Sequence, residues 1–261
     1  MQLHIHQLRL LPLILAVSAS AVPNDLFVDR AEELGVDFVH FAGVSGEYYI
    51  VEISGPGCGM LDYDNDGLLD LMTASGDVFV IEALVRKKDP FPMHQPNQLF
   101  RNIGSGKFED VTARAGSVFE LSEVSRGLAF GDIDNDGDTD VLLENCNGRA
   151  RLLINTAGNT NHWLGLRLVA GTPPTDQIGA WVGVHRKGKP VKWRRVRTDG
   201  GFASANDPRL LFGLARDTTV DRVEVHWPDG SVESWTEIAV DRYTTLTKGG
   251  GEQAKNEDPK P

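Results

Sequence analysis

Residues 57–72 read GCGMLDYDNDGLLDLM, and residues 127–142 read GLAFGDIDNDGDTDVL. The two stretches align without a gap at an offset of 70 residues. A unit duplicated at such a spacing marks a repeat architecture. Each copy holds D-x-D-N-D-G-x-x-D: Asp62, Asp64, Asp66 and Asp70 in the first, Asp132, Asp134, Asp136 and Asp140 in the second. Four carboxylates within nine residues repel one another if they converge. At about 4 Å even a water-like dielectric costs roughly 1 kcal/mol per pair. A chain that repeats this arrangement needs a cation to hold it together.

The donor set is hard oxygen alone, with no His or Cys inside either loop, and that selects Ca2+ over zinc or copper. Magnesium retains water and favours sites with few protein ligands. Positions 1, 3 and 5 of each loop point side chains inward. Gly67 and Gly137 at position 6 allow the sharp turn. The carbonyls of Leu68 and Asp138 at position 7 can supply a main-chain oxygen, and Asp70 and Asp140 close the loops at position 9. An EF-hand is excluded, because its bidentate Glu at position 12 is replaced by Thr73 and Leu143. The competing reading of each loop is an acidic, solvated turn, and the duplication argues against it.

Outward from these loops the chain reads as strand. Residues 163–169 (WLGLRLV) and 181–184 (WVGV) are strand-like, and in VDRVEVHW (220–227) Val223, Val225 and Trp227 alternate with Arg222, Glu224 and His226. That is the period of a half-buried strand, and it places His226 on the surface. Pro228-Asp229-Gly230-Ser231 reads as a hairpin turn, with a strand resuming over 232–238. Residues 27–35 read as a short helical turn, and no long capped helix is visible. The class is therefore all-β.

Charge divides the chain. Residues 22–158 carry 10 basic and 24 acidic side chains, and residues 159–248 carry 13 and 10. With the polar stretch 155–161, this sets a domain boundary near 158 and gives regions 24–158 and 159–248. Residues 1–21 read as a signal peptide, with an apolar run over 10–17 and Ala19-Ser20-Ala21 as the cleavage pattern, so the mature chain is expected to be secreted or periplasmic. No other stretch is apolar for long enough to span a membrane. The tail 249–261 (GGGEQAKNEDPKP) is expected to be disordered.

The net charge of −11 argues against nucleic acid as the main partner. Seven basic side chains fall within 186–197 (RKGKPVKWRRVR). A solvated hairpin is the preferred reading, with a site for an acidic glycan or an anionic surface as the alternative. The five tryptophans read as core residues rather than a sugar platform. Cys58 and Cys146 can pair in an oxidising compartment, with small buried thiols as the competing reading.

The hydrophobic-Asp-x-Asp-x-Asp-Gly-x-x-Asp-hydrophobic loops, preceded by Gly57-Cys58-Gly59-Met60 and Gly127-Leu128-Ala129-Phe130, resemble the FG-GAP/VCBS repeats of integrin-like β-propellers. Residues 97–112 (NQLFRNIGSGKFEDVT) look like the inter-blade stretch, and 38–57 like the N-terminal lead-in. Residues 162–247 resemble the ASPIC/UnbV domain through HWLGLRL, IGAWVGV, the turn at Gly200-Gly201-Phe202, RLLFGL and VDRVEVHWPDG. The order is similar to that of the cartilage acidic protein family.

The resemblance implies secreted, calcium-binding, non-catalytic proteins that bind extracellular protein or glycan. A propeller needs about four to eight blades, and residues 24–158 suffice for two or three. The expectation is an incomplete propeller-like region followed by a small β-sandwich-like domain. The short ring is read as a compact stack, an oligomer that completes the ring by self-association through open blade edges, or a defective product. Two alternatives to a binding module stay open: a calcium-dependent polysaccharide hydrolase, and a scaffold component pairing through an open edge.

Overall fold

The computed structural model describes residues 30–36, 57–76, 85–88, 94–146, 148–201 and 204–254. The expected signal peptide and the lead-in over 38–56 lie outside them. Among the described residues the chain is all-β, and no helix is long and apolar enough to cross a membrane. From Ala31 onward the chain forms one unit. It holds two hydrophobic clusters, one drawn from residues 61–153 and the other from 164–246.

The repeats become matching hairpins. In the first sheet, β1 (Gly57–Leu61), β2 (Asp70–Ala74), β4 (Gln98–Asn102) and β5 (Phe108–Asp110) run as an antiparallel meander. In the second, β7 (Ser125–Gly131), β8 (Asp140–Asn145) and β9 (Arg151–Leu153) do the same with three strands. A short ribbon pairs β3 (Gln95–Pro96) with β6 (Ser122–Glu123). Each acidic loop joins the first two strands of its sheet, and the closing pairs are equivalent: Leu61 opposite Asp70, and Gly131 opposite Asp140.

Residues 97–112 are therefore not an inter-blade link. They supply the third and fourth strands of the first sheet, because Leu99 and Phe100 are both buried and need strand partners for their backbone.

The two sheets pack face to face. Leu61, Met72 and Leu99 of the first meet Leu128, Val141 and Leu143 of the second. Glycine sets how closely they approach. A Cβ on Gly57 would lie 2.5 Å from the Arg126 carbonyl oxygen, and one on Gly59 would lie 2.4 Å from the Phe130 ring. A polar chain braces the same junction: Asn97 Nδ2 donates to Ser125 Oγ, Ser125 Oγ to Asn145 Oδ1, and Asn145 Nδ2 to Glu123, which also holds Arg151.

The C-terminal strands form two sheets. One contains β10 (His162–Ala170), flanked by β11 (Thr175–Asp176) and β14 (Leu210–Ala215), with β17 (Tyr243–Thr247) parallel to it. The other runs β13 (Lys192–Arg195), β12 (Trp181–His185), β15 (Arg222–His226), β16 (Val232–Trp235) and β18 (Glu252–Gln253). Alternate residues Leu164, Leu166, Leu168, Phe212 and Leu214 face Val182, Val184, Val223 and Val225 across one core. Fully burying a side chain of this kind is worth about 2 kcal/mol.

Several expectations are corrected here. His226 is buried rather than on the surface, because Trp193 packs edge-on against it and Glu224 accepts its Nε2 at 2.6 Å. The strand expected over 232–238 stops at Trp235. The tail is ordered as far as Ala254: β18 extends the sheet at β16, and Glu233 accepts the backbone N–H groups of Gly249 and Gly251. Residues 255–261 lie outside the described part. Cys58 and Cys146 are both exposed and unpaired, so neither is a buried thiol. Of the tryptophans, Trp163 and Trp227 are buried as expected, whereas Trp181, Trp193 and Trp235 are half-buried.

Candidate metal centre

In the first hairpin turn one oxygen each of Asp62, Asp64 and Asp70 lie within 4.8 Å of one another. In the second, Asp132, Asp134 and Asp136 converge in the same way. Six of the eight aspartates singled out from the sequence are thus brought together. Asp66 and Asp140 stand outside the two groups, and the groups are not superimposable position by position.

The backbone explains the convergence. Gly67 N–H donates to Asp62 at 3.2 Å, and Gly137 N–H to Asp132 at 2.9 Å. Leu68 N–H and Asp138 N–H donate to the position-5 carboxylates of Asp66 and Asp136. Each loop so curls around its own carboxylates. Asn65 and Asn135 take positive φ, as do Gly67 (+88°) and Gly137 (+97°), a region open at low cost to Asn and Gly.

The position-9 aspartates act as pins. Asp70 accepts Tyr63 N–H at 3.0 Å and Asn102 N–H at 2.7 Å; Asp140 accepts Ile133 N–H and Asn155 N–H, both at 2.8 Å. Each clasps the start of its loop to the end of the third strand. The residues on the far side of the clasp were not found in the sequence, although a signal was there: Leu99-Phe100-Arg101-Asn102 and Leu152-Leu153-Ile154-Asn155 are a second, shorter repeat. Its offset differs from 70 because a longer segment separates β2 from β4 than β8 from β9.

The position-7 residues differ from one another. Leu68 is exposed. The Asp138 side chain is buried and binds Asn65 Nδ2 at 3.1 Å and Gly158 N–H at 3.0 Å. Asn65 also donates to the Gly137 carbonyl at 2.9 Å, so the two acidic turns are stitched directly together.

Burial makes these carboxylates hard to ionise without a counter-charge. It pushes Asp62 up to about 6, against the pull of Arg194, the Gly67 N–H and Lys192. It pushes Asp70 up to about 7, against its two backbone donors. Asp64 is raised by burial and then by Asp66, and Asp136 is raised mainly by burial. One oxygen of Asp62, Oδ2, is buried with no hydrogen-bond partner. Converging hard-oxygen donors, a raised proton affinity and a buried acceptor without a hydrogen bond together fit a divalent cation.

The C-terminal sandwich reaches into both turns. Lys192 Nζ donates to the Gly67 carbonyl at 2.7 Å and the Gly213 carbonyl at 3.1 Å, and Arg194 lies 3.8 Å from Asp62. Burial lowers Lys192 to about 8. On the second turn, Arg209 donates to Asn135 Oδ1 at 2.5 Å and to the Asp132 carbonyl at 2.6 Å, and the Tyr243 hydroxyl donates to Asp132 at 3.0 Å. Within the repeats, Arg101 pairs with Asp64 at 2.7 Å and Asp66 at 3.3 Å.

The basic stretch 186–197 is thus not a plain solvated hairpin. Lys192 and Arg194 face the first acidic turn, and Arg186 and Lys189 pair with Asp217. Position-6 glycine serves this docking as well as the turn, since a Cβ on Gly137 would fall 1.9 Å from the Trp163 ring.

Comparison with known proteins gives two family matches. Residues 62–143 match the family described as FG-GAP-like repeat, and residues 171–253 match ASPIC and UnbV. Cartilage acidic protein 1 of Mus musculus is 39% identical over 280 residues, covering 85% of this chain and 41% of that protein. The Homo sapiens protein of the same name is 42% identical over 280 residues, covering 85% of this chain and 40% of its own length. The Xenopus tropicalis protein is 37% identical over 75 residues. The chain spans about two fifths of the length of the mouse and human relatives. With FG-GAP-like repeats leading into an ASPIC/UnbV segment, it belongs to the cartilage acidic protein-like family.

Proposed function

We propose that this chain is a secreted, non-catalytic binding module stiffened by Ca2+ in its two acidic turns. One observation carries the reading: three carboxylates converge in each of two equivalent hairpin turns, and Asp62 Oδ2 is left buried without a hydrogen bond, with Arg194 no nearer than 3.8 Å. Calcium bound there would supply the positive charge that relieves the carboxylate repulsion. Asp62, Asp64 and Asp70 would hold one ion and Asp132, Asp134 and Asp136 the other. Asp66 and Asp140 would orient the loops, and the Leu68 and Asp138 carbonyls are candidate further ligands. The extracellular setting is supported by the relatives, which are named for cartilage. A role in binding extracellular protein or glycan, rather than in turnover, accords with aspartates engaged in holding backbone.

Calorimetric titration of the metal-free protein with CaCl2 tests this. Saturable binding at millimolar concentration or below is expected. It should be lost in the pair Asp64→Ala and Asp134→Ala, and calcium should raise the melting temperature of the parent alone. No heat and no thermal shift at millimolar calcium would overturn the reading.

A second reading, self-association through the open second sheet, has its own support. Leu142 and Leu152 are cross-strand partners on β8 and β9 and are 46% and 52% exposed, with Ile154 beside them at 45%. Among the described residues β9 pairs with β8 alone. Light scattering should show an oligomer that Leu152→Lys dissociates; a monomer throughout would remove this reading.

A further inference from the structure

Where the repeat hairpins meet the C-terminal sandwich there is a cavity of about 620 Å³. One wall is the outer face of the β12–β13 hairpin. Strand alternation divides the residues of β13 and the two positions beyond it into two sets. Lys192, Arg194 and Val196 turn toward the core side, where Lys192 and Arg194 reach the first acidic turn. Trp193, Arg195 and Arg197 fall on the opposite face, and Trp181 lies directly across from Arg195. All four of Trp181, Trp193, Arg195 and Arg197 line the cavity.

The charges there are not equivalent. Arg194 faces Asp62 and lies over the Phe212 ring; Arg209 is held by Asp207 at 2.6 Å and by the second acidic turn. Among the described residues Arg195 and Arg197 have no ion pair, and both are exposed. Asp199, also exposed, lines the same cavity. Trp193 lies over Gly183, where a Cβ would come within 3.0 Å of its ring, so the indole is fixed in place by its own sheet. Asp62, Asp132 and Asp207 also line the cavity, and they are engaged by Arg194, Tyr243 and Arg209 respectively. Two unpaired guanidinium groups, two indoles and the exposed Asp199 carboxylate remain, and these are groups that recognise a sugar carrying negative charge. The guanidinium forks take sulfate or carboxylate, indole takes the apolar face of a pyranose ring, and Asp199 accepts from hydroxyls. A long polyanion such as nucleic acid fits poorly, because among the described residues lining the cavity only Arg195 and Arg197 are cations without an ion pair, and the whole chain carries −11.

We propose that this cavity binds an acidic saccharide, with its sulfate or carboxylate groups on Arg195 and Arg197 and a sugar ring against Trp181 and Trp193. None of these four residues belongs to an acidic turn, although Asp62 and Asp132 of the two turns line another part of the same cavity.

Calorimetry and tryptophan fluorescence on the full chain, with a heparin-derived hexasaccharide as the probe, test it. Saturable binding with a change in fluorescence is expected. Arg195→Ala with Arg197→Ala should weaken it at least tenfold, and the charge-preserving pair Arg195→Lys and Arg197→Lys should weaken it less. Lys187→Ala, at the exposed hairpin tip outside the cavity, should leave it unchanged. Three results would overturn the proposal: equal affinity in the double alanine variant, an equal loss in Lys187→Ala, or tripolyphosphate or neutral maltohexaose binding as tightly as the sulfated sugar.

Discussion

Asp134 and Asp140 lie six residues apart in one turn, and the fold gives them opposite work. Asp134 is exposed and makes no backbone clasp, whereas Asp140 is buried and accepts two backbone N–H groups. Asp140→Ala would leave both donors unsatisfied, which costs roughly 1–3 kcal/mol each. We expect a drop of about 2–5 kcal/mol in urea unfolding of the metal-free protein. Asp134→Ala should shift that curve by less than about 0.5 kcal/mol and should remove the second turn's share of the added stability that calcium gives the parent. If the two variants behave alike, the division between pin and ligand is wrong. Gly137→Ala is severe for a separate reason: φ is +97° and a Cβ would collide with Trp163. A loss above about 2 kcal/mol is expected by thermal melting.

At the scale of elements, the ribbon strand β6 is tied to β9 by one ion pair. Glu123 is held below the usual carboxylate range, first by its hydrogen bond from Arg151, with Asn145 adding a second donor. A depressed folded-state value means that the unfolded chain binds more protons in this window. The stabilisation is therefore complete above about 4.5 and is lost as pH falls through the lower folded value. The pair is partly solvated, so its worth is about 1 kcal/mol. Glu123→Gln should lower stability by about that much at pH 7 and by almost nothing near pH 2, as read from urea midpoints. A pH-independent difference would mean that Arg151 contributes by packing and not by charge. Element boundaries were the least legible part of the sequence. Residues 97–112 read as a connector because their polar turn, Gly104-Ser105-Gly106, dominated two short strands whose partners lie on other segments.

For the whole molecule, the docking of the sandwich on the acidic turns is polar. Arg209 serves Asn135, the Asp132 carbonyl and Asp207 at once, and lies 4.3 Å above the Tyr243 ring. Removing it strands several acceptors. Arg209→Ala should cost about 2–4 kcal/mol and should speed proteolytic cleavage in the segment 155–161, as followed by timed digestion. Unchanged digestion would show that the Lys192 and Asn65 contacts suffice without it.

The sequence alone determined the class, the duplicated turns and the chemistry of their donors. Alternation, glycine at a turn that needs positive φ, and clustered like charge are local properties, each written within about ten residues. Only the tertiary structure decided which aspartates meet and which pin backbone: Asp70 does both and Asp140 the second alone, each through a residue distant in the chain, Asn102 or Asn155. It also decided the fate of the basic stretch: β13 sends Lys192 and Arg194 to the acidic turn, while Arg195 and Arg197 have no ion pair among the described residues, a division visible only once the opposing surface is in place. His226 teaches the same lesson. A period-2 pattern identifies two faces, but whether the polar one meets water depends on what packs over it, and there Trp193 does.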